Sequence, residues 1–228
     1  CVRAVGEKVP VIAAVSALST SEAVQIAQDA ERMGCRGLMV LPPYVYKGEW
    51  RETRAHFAAV MRATRLSCML YNNPIAYGTD VTPPQMMELA AEHANLHAVK
   101  ESSADVRRLT WLRAVGGERL AMFVGVDDLI VEGIAAGACG WIAGLVNACP
   151  AESVALFHLA AAGEHAKARA LYEWFLPLLR MDTTYDFVQL IKLVQVEAGW
   201  AGEGGAATRP PRLLPEGARL HEITAEIR

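Results

Sequence analysis

Short apolar runs alternate with amphipathic stretches along most of the chain. The runs are Val9–Val15 (VPVIAAV), Gly37–Leu41 (GLMVL), Ser67–Tyr71 (SCMLY), Leu96–Val99 (LHAV), Leu120–Val124 (LAMFV) and Gly140–Val146 (GWIAGLV). They are apolar throughout rather than alternating, the pattern of parallel strands covered on both faces. The spacing predicts helices over 21–34, 48–64, 82–93, 105–115 and 128–137. Ala23, Ile26, Ala27, Ala30 and Met33 share one face of the first, and Ser19 with Glu22 forms a capping box before it. Gly34, Gly117 and Gly137 follow helices, where left-handed caps belong.

After Pro150 the pattern is helix alone, over 151–162, 165–180 and 184–198. A Gly/Pro-rich tail and a short terminal helix follow. The expected division is 1–150, a βα array, and 151–228, the last array helix with a helical extension. A doubly wound sheet and a (β/α)₈ barrel both fit alternating βα units, but no GxGxxG follows a strand. A barrel needs eight units, and six are present.

Composition narrows the function classes. The formal net charge is −3 and no basic run appears, which argues against a nucleic-acid or anionic-membrane partner. Cys1, Cys35, Cys68, Cys139 and Cys149 contain no CxxC pair, so buried free thiols are expected rather than disulfides or zinc. The six histidines show no metal spacing. With no membrane-length apolar stretch and no secretory leader pattern, the expected location is the cytoplasm.

In a βα barrel the chemistry stands at the C-terminal strand ends. Those positions carry Ser16, Tyr44, Tyr71-Asn72-Asn73, Lys100-Glu101-Ser102, Gly125-Val126-Asp127-Asp128 and Ile142. Of five lysines only Lys100 closes a buried strand, where desolvation favours a nucleophilic amine. Its other reading is a strand-end ion pair with Glu101. Lys192, mid-helix in FVQLIKLVQV, reads as a side chain reaching the surface. Tyr71 ends the preceding strand and can meet Lys100 from a neighbouring position. Asp127 reads either as a polar substrate contact or as a helix cap, and Asp128 as a cap.

Two segments then resemble a known family. YNNPIAYGTD (71–80) and VKESS (99–103), in this order and spacing, resemble the tyrosine and lysine motifs of the dihydrodipicolinate synthase / N-acetylneuraminate lyase family. VIAAVSALST, VLPPY, FVGVDD and GWIAGLVN follow the same family order. The resemblance implies a TIM barrel of which strands 3 to 8 are present here. It also implies a class I aldolase-type lyase acting without metal or organic cofactor on pyruvate or a short keto acid. Lys100 would form the imine, Tyr71 would shuttle protons, and Tyr44 would serve a neighbouring subunit's site in a homodimer or homotetramer. Asn73, Ser102, Gly125, Asp127 and Ile142 would surround the substrate.

The family's carboxylate-binding loop has no counterpart here, so two upstream βα units are expected in a longer natural chain. Ala76 stands where dihydrodipicolinate synthases carry an arginine, and Pro43 replaces a tyrosine; both argue against that activity. YNNPIAYGTDVTP and KESSADVRRLT resemble a subgroup that includes Δ1-pyrroline-4-hydroxy-2-carboxylate deaminases. A descendant that binds keto acids without catalysis is the alternative.

Overall fold

The computed structural model describes residues 1–44, 46–202 and 204–227. Six strands lie in the order β1 (Ile12–Val15), β2 (Gly37–Val40), β3 (Ser67–Asn72), β4 (Leu96–Glu101), β5 (Ala121–Val124) and β6 (Gly140–Trp141). The pairs β1·β2, β2·β3 and β3·β4 are parallel. Two compact units result: Cys1–Phe123 with Ala136–Cys139, and Val124–Ala135 with Gly140–Arg228.

In the first unit, register explains both the core and the site. Val15, Val40, Leu70 and Val99 pair in one row and are each at most 1% exposed. Their face is covered by the buried sides of α2 (Thr20–Arg32), α3 (Trp50–Arg62), α5 (Pro83–Glu92) and α6 (Arg107–Gly116), through Ala27, Phe57, Met86 and Leu109. Truncating Leu70 to alanine at such a position costs roughly 2–5 kcal/mol. Because side chains alternate along a strand, the next row, Tyr71 with Lys100, belongs to the opposite face.

The β3–β4 register shifts between Cys68 and Met69: Cys68 pairs with Leu96, but Met69 pairs with Ala98. One extra residue, His97, is thereby accommodated in β4. Its Nδ1 lies 2.9 Å from Ser67 Oγ.

Several helix ends follow the expected chemistry. Ser19 and Glu22 form the capping box of α2, and Thr82 with Gln85 forms another before α5. Gly34, Gly117 and Gly137 take positive φ. Met33, however, lies beyond the last turn of α2 and is exposed, since that helix stops at Arg32. Two short helices escaped the periodic pattern: α1 (Val2–Val5) and α4 (Pro74–Tyr77). Four residues are too few to show a 3.6-residue period.

The second unit holds α7 (Ile130–Ala135), α8 (Pro150–Ala161), α9 (His165–Leu179), α10 (Phe187–Glu197) and α11 (Gly217–Ile227). Phe175, Leu179, Leu190 and Leu156 fill its core. Two expectations are corrected here. The strand expected over 140–146 is two residues long and gives way to a 3₁₀ turn over Leu145–Asn147. The helix expected over 128–137 begins as a 3₁₀ turn, Asp127–Leu129, and is helical only from Ile130 to Ala135. Within the second unit the Asp127 carboxylate binds Trp141, Gly144 and Leu145. Lys192 of α10 donates to the Ala207 carbonyl at 2.8 Å and so secures the Gly-rich tail.

Candidate active site

Lys100 and Tyr71 are direct cross-strand partners at the ends of β4 and β3. Lys100 is 8% exposed, and its Nζ stands 4.2 Å above the centre of the Tyr71 ring. Among the described residues it makes no hydrogen bond and no ion pair. The salt bridge with Glu101 is thus absent, and alternation is the reason: neighbours in a strand point to opposite faces. Glu101 accepts instead from Asn72 Nδ2 at 3.2 Å and from the Ser103 backbone at 2.6 Å. Burial raises its carboxyl above the usual carboxylate range. The side chain is mostly buried, and an aromatic face is the one contact its amine shows among the described residues. The amine is well suited to act as a nucleophile.

Asn72, fully buried, organises the side of the sheet away from the amine. Its Oδ1 accepts from the Val81 backbone at 2.9 Å, and its Nδ2 also donates to Asp80 at 3.1 Å. Asp80 is clasped by Arg108 through two hydrogen bonds of 2.6 and 2.9 Å, which hold its carboxyl below the usual range. The strand ends carrying Tyr71 and Lys100 are thereby pinned from behind.

On the amine's side the motif after β3 folds back over its own tyrosine. Asn73 caps α4 by accepting from the Ala76 backbone at 3.0 Å, and its Nδ2 donates to the Tyr71 hydroxyl at 3.1 Å. Gly78 ends the turn at φ 69°, a left-handed cap that favours glycine. Tyr77, just before it, places its ring 5.7 Å from Tyr71 in an edge-on arrangement and 5.9 Å from Tyr44. Ser16 Oγ donates to the Tyr44 hydroxyl at 3.3 Å. Four aromatic and amine groups are therefore gathered within the first unit: Tyr44, Tyr77, Tyr71 and Lys100. Tyr77 is the member that sequence reasoning overlooked; its signal was an aromatic residue inside a one-turn Asn-Pro…Gly segment.

The other expected substrate contacts stand as follows. Ser102 is 1% exposed and its hydroxyl meets no hydrogen-bond partner among the described residues. Ala76 is exposed on α4. Gly125, Asp127 and Ile142 belong to the second unit. Gly125 is buried, and the Ile142 backbone donates to Val124 at 3.0 Å. Asp127 is fully buried, accepting from Trp141 Nε1 at 3.1 Å, Gly144 N at 3.0 Å and Leu145 N at 2.7 Å. Burial, and then the Asp182 carboxylate, push it up to about 7. Asp128 does not cap a helix, contrary to expectation: it lies within the 3₁₀ turn, half-buried and 4.0 Å from Arg180.

The family model of the dihydrodipicolinate synthetase family matches residues 1–224. The chain belongs to that family. The reading made from the YNNPIAYGTD and VKESS segments is borne out. Among curated relatives, the 4-hydroxy-tetrahydrodipicolinate synthase of Geotalea daltonii is 30% identical over 210 residues, covering 92% of this chain and 71% of its own. The enzyme of the same name from Chelativorans sp. is 33% identical over 178 residues, covering 78% and 61%. The chain thus spans less than two thirds of the length of some relatives it matches.

Solved structures of the family agree in fold. A prophage protein of the dihydrodipicolinic acid synthase family from E. coli K12, solved in complex with pyruvate, has a TM-score of 0.89 at 26% identity. That match covers 98% of this chain and 76% of the other. Dihydrodipicolinate synthase from Aquifex aeolicus gives 0.89 at 25% identity, covering 98% and 75%. Among the described residues no helix is long and apolar enough to cross a membrane.

Proposed function

We propose that the protein is a Schiff-base-forming lyase in which Lys100 condenses with the 2-keto group of pyruvate or a short hydroxy-keto acid. The observation that carries this reading is Lys100, 8% exposed and without a hydrogen-bond or ion-pair partner among the described residues, with its amine 4.2 Å over the Tyr71 ring. The amine adds to the carbonyl carbon, and Tyr71 supplies the proton that lets the carbinolamine oxygen leave as water. The resulting protonated imine serves as an electron sink, so the lysine itself does the work of a cofactor. Asn73, which donates to the Tyr71 hydroxyl, and Ser102, whose hydroxyl has no partner among the described residues, are the proposed substrate contacts of the first unit.

Within the family the reading favours a deaminase/dehydratase or retro-aldolase over 4-hydroxy-tetrahydrodipicolinate synthase. Ala76 offers only a methyl group where those synthases carry an arginine, so a second substrate's carboxylate gains no grip there. The six parallel-ordered strands correspond on this reading to part of a (β/α)₈ barrel. Assembly is as a homodimer or homotetramer in the cytoplasm.

Borohydride trapping of the protein with pyruvate, and separately with the pyrroline hydroxy-acid, followed by peptide mass spectrometry, tests the mechanism. A reduced adduct on Lys100 is expected, and the acid that traps faster identifies the substrate class. No added mass, or mass on another residue, would overturn the imine assignment and favour a keto-acid-binding protein without catalysis.

A further inference from the structure

If Lys100 condenses with a keto acid, the Tyr71 phenol changes charge twice, and the groups around its oxygen decide how readily. Two donors reach that oxygen. Asn73 Nδ2 donates to it at 3.1 Å, and the Tyr77 hydroxyl is hydrogen-bonded to it. Both donors sit on α4, a turn closed at one end by the Asn73 cap and at the other by left-handed Gly78. A Cβ at Gly78 would lie 2.7 Å from Lys47 Cε, so the Lys47 stem occupies the space behind the turn. Tyr44 backs the Tyr77 ring. Burial first, then Tyr71, push Tyr77 up to about 12, so it remains a protonated donor across the neutral range.

We propose that α4 is a two-donor cradle for the Tyr71 phenolate, with Tyr77 as the positioning residue that stabilises the oxygen once Tyr71 has given its proton away. The proposal rests on the imine reading of Lys100. In the step concerned, the carbinolamine C2–O bond breaks and the nitrogen lone pair forms the C=N bond. The Tyr71 proton passes to the departing oxygen, leaving water, a protonated imine and a Tyr71 phenolate. The phenolate then takes a proton from C3, which neutralises the imine as an enamine and restores the phenol. The titratable groups facing this pair are Tyr44 from the segment after β2, Lys47 beside Gly78, and Lys100 from β4.

Tyr77→Phe keeps the ring and deletes the donor. With pyruvate, the rate of Lys100 adduct formation should fall about 100-fold, the lower end of the range seen when one donor to a developing oxyanion is lost. Half-saturation by pyruvate should stay within about twofold, because ground-state contacts are untouched. The alkaline limb of the pH–rate profile should move upward, since a phenolate with one donor forms less readily. In a Tyr71→Phe background the same change should cost nothing further. Wild-type rates and an unmoved alkaline limb in Tyr77→Phe would overturn the cradle. A wild-type protein that forms no adduct would overturn the imine reading instead. The cradle is then judged by ultraviolet titration of the tyrosines: assigned by comparison with Tyr71→Phe, the Tyr71 transition must rise in Tyr77→Phe or the proposal fails.

Discussion

Two buried acid–base centres occupy strand ends in this molecule, Lys100 in the first unit and Asp127 in the second, and they are built on opposite principles. Asp127 spends its carboxylate oxygens on three N–H donors brought from Trp141, Gly144 and Leu145. Lys100 spends nothing: among the described residues its amine makes no hydrogen bond and no ion pair, and it stands over the Tyr71 ring. A buried ionisable group with every valence satisfied holds a turn together. One left without a protein partner at a mostly buried strand end marks a place where an outside molecule can supply that partner.

The largest effect expected from breaking this contrast is at the amine. Lys100→Met should abolish the borohydride-trapped adduct completely in peptide mass spectrometry, while the melting temperature followed by circular dichroism stays within a few degrees. A residual adduct of wild-type mass would refute the contrast at once. At the other centre the outcome should reverse. Asp127→Asn turns an amide N–H toward backbone N–H donors, and leaving buried donors unsatisfied costs about 1–3 kcal/mol in chemical denaturation.

Acid–base dependence sharpens the same comparison. Asp127 is raised in the folded chain, so its contribution to stability is present below its ordinary range near 3.8 and is lost as pH rises through about 7. Stability of the wild type between these limits should therefore fall more steeply with pH than that of Asp127→Asn, by at most about 1.4 kcal/mol per pH unit for one proton. Parallel slopes would show that the carboxylate is not held protonated. The smallest effect is expected behind the site. Arg108→Ala removes the clasp on a partly exposed Asp80 and should cost only about 0.5–1 kcal/mol. Because Asp80 is held low, that cost should vanish as the solution is acidified through the carboxylate range.

Much of the first unit was legible because its determinants are local. Apolar runs announced the strands, and the Ser19/Glu22 pair announced a helix start. Period-two alternation already separates Lys100 from Glu101, so the ion-pair reading could have been dismissed by counting. The second unit was harder for a physical reason. The group that shapes its first turn is Asp127, whose partners Gly144 and Leu145 lie 17 and 18 residues away, whereas a cap at Asp128 needed only adjacent residues to look plausible. The two-residue β6 was over-extended for the same reason: Gly144 and Leu145 are apolar in sequence but give their N–H groups to a carboxylate rather than to a neighbouring strand. Tyr77 went unnoticed because its role depends on a left-handed turn that returns the chain onto Tyr71.

The extra residue in β4 has a consequence for how this strand tolerates changes of length. Counting on without a shift from the Cys68–Leu96 pair would set Val99 against Tyr71 and Lys100 against Asn72, turning the amine toward the layer of α5. His97 restores the parity. Deleting His97 would leave a regular ladder with Lys100 still beside Tyr71, so the near end of the strand can lose a residue and keep its chemistry. Inserting one between Val99 and Lys100 would exchange the two faces and present the nucleophile to the packed interior. The same strand is forgiving at one end and unforgiving at the other, with the boundary between them at a single histidine.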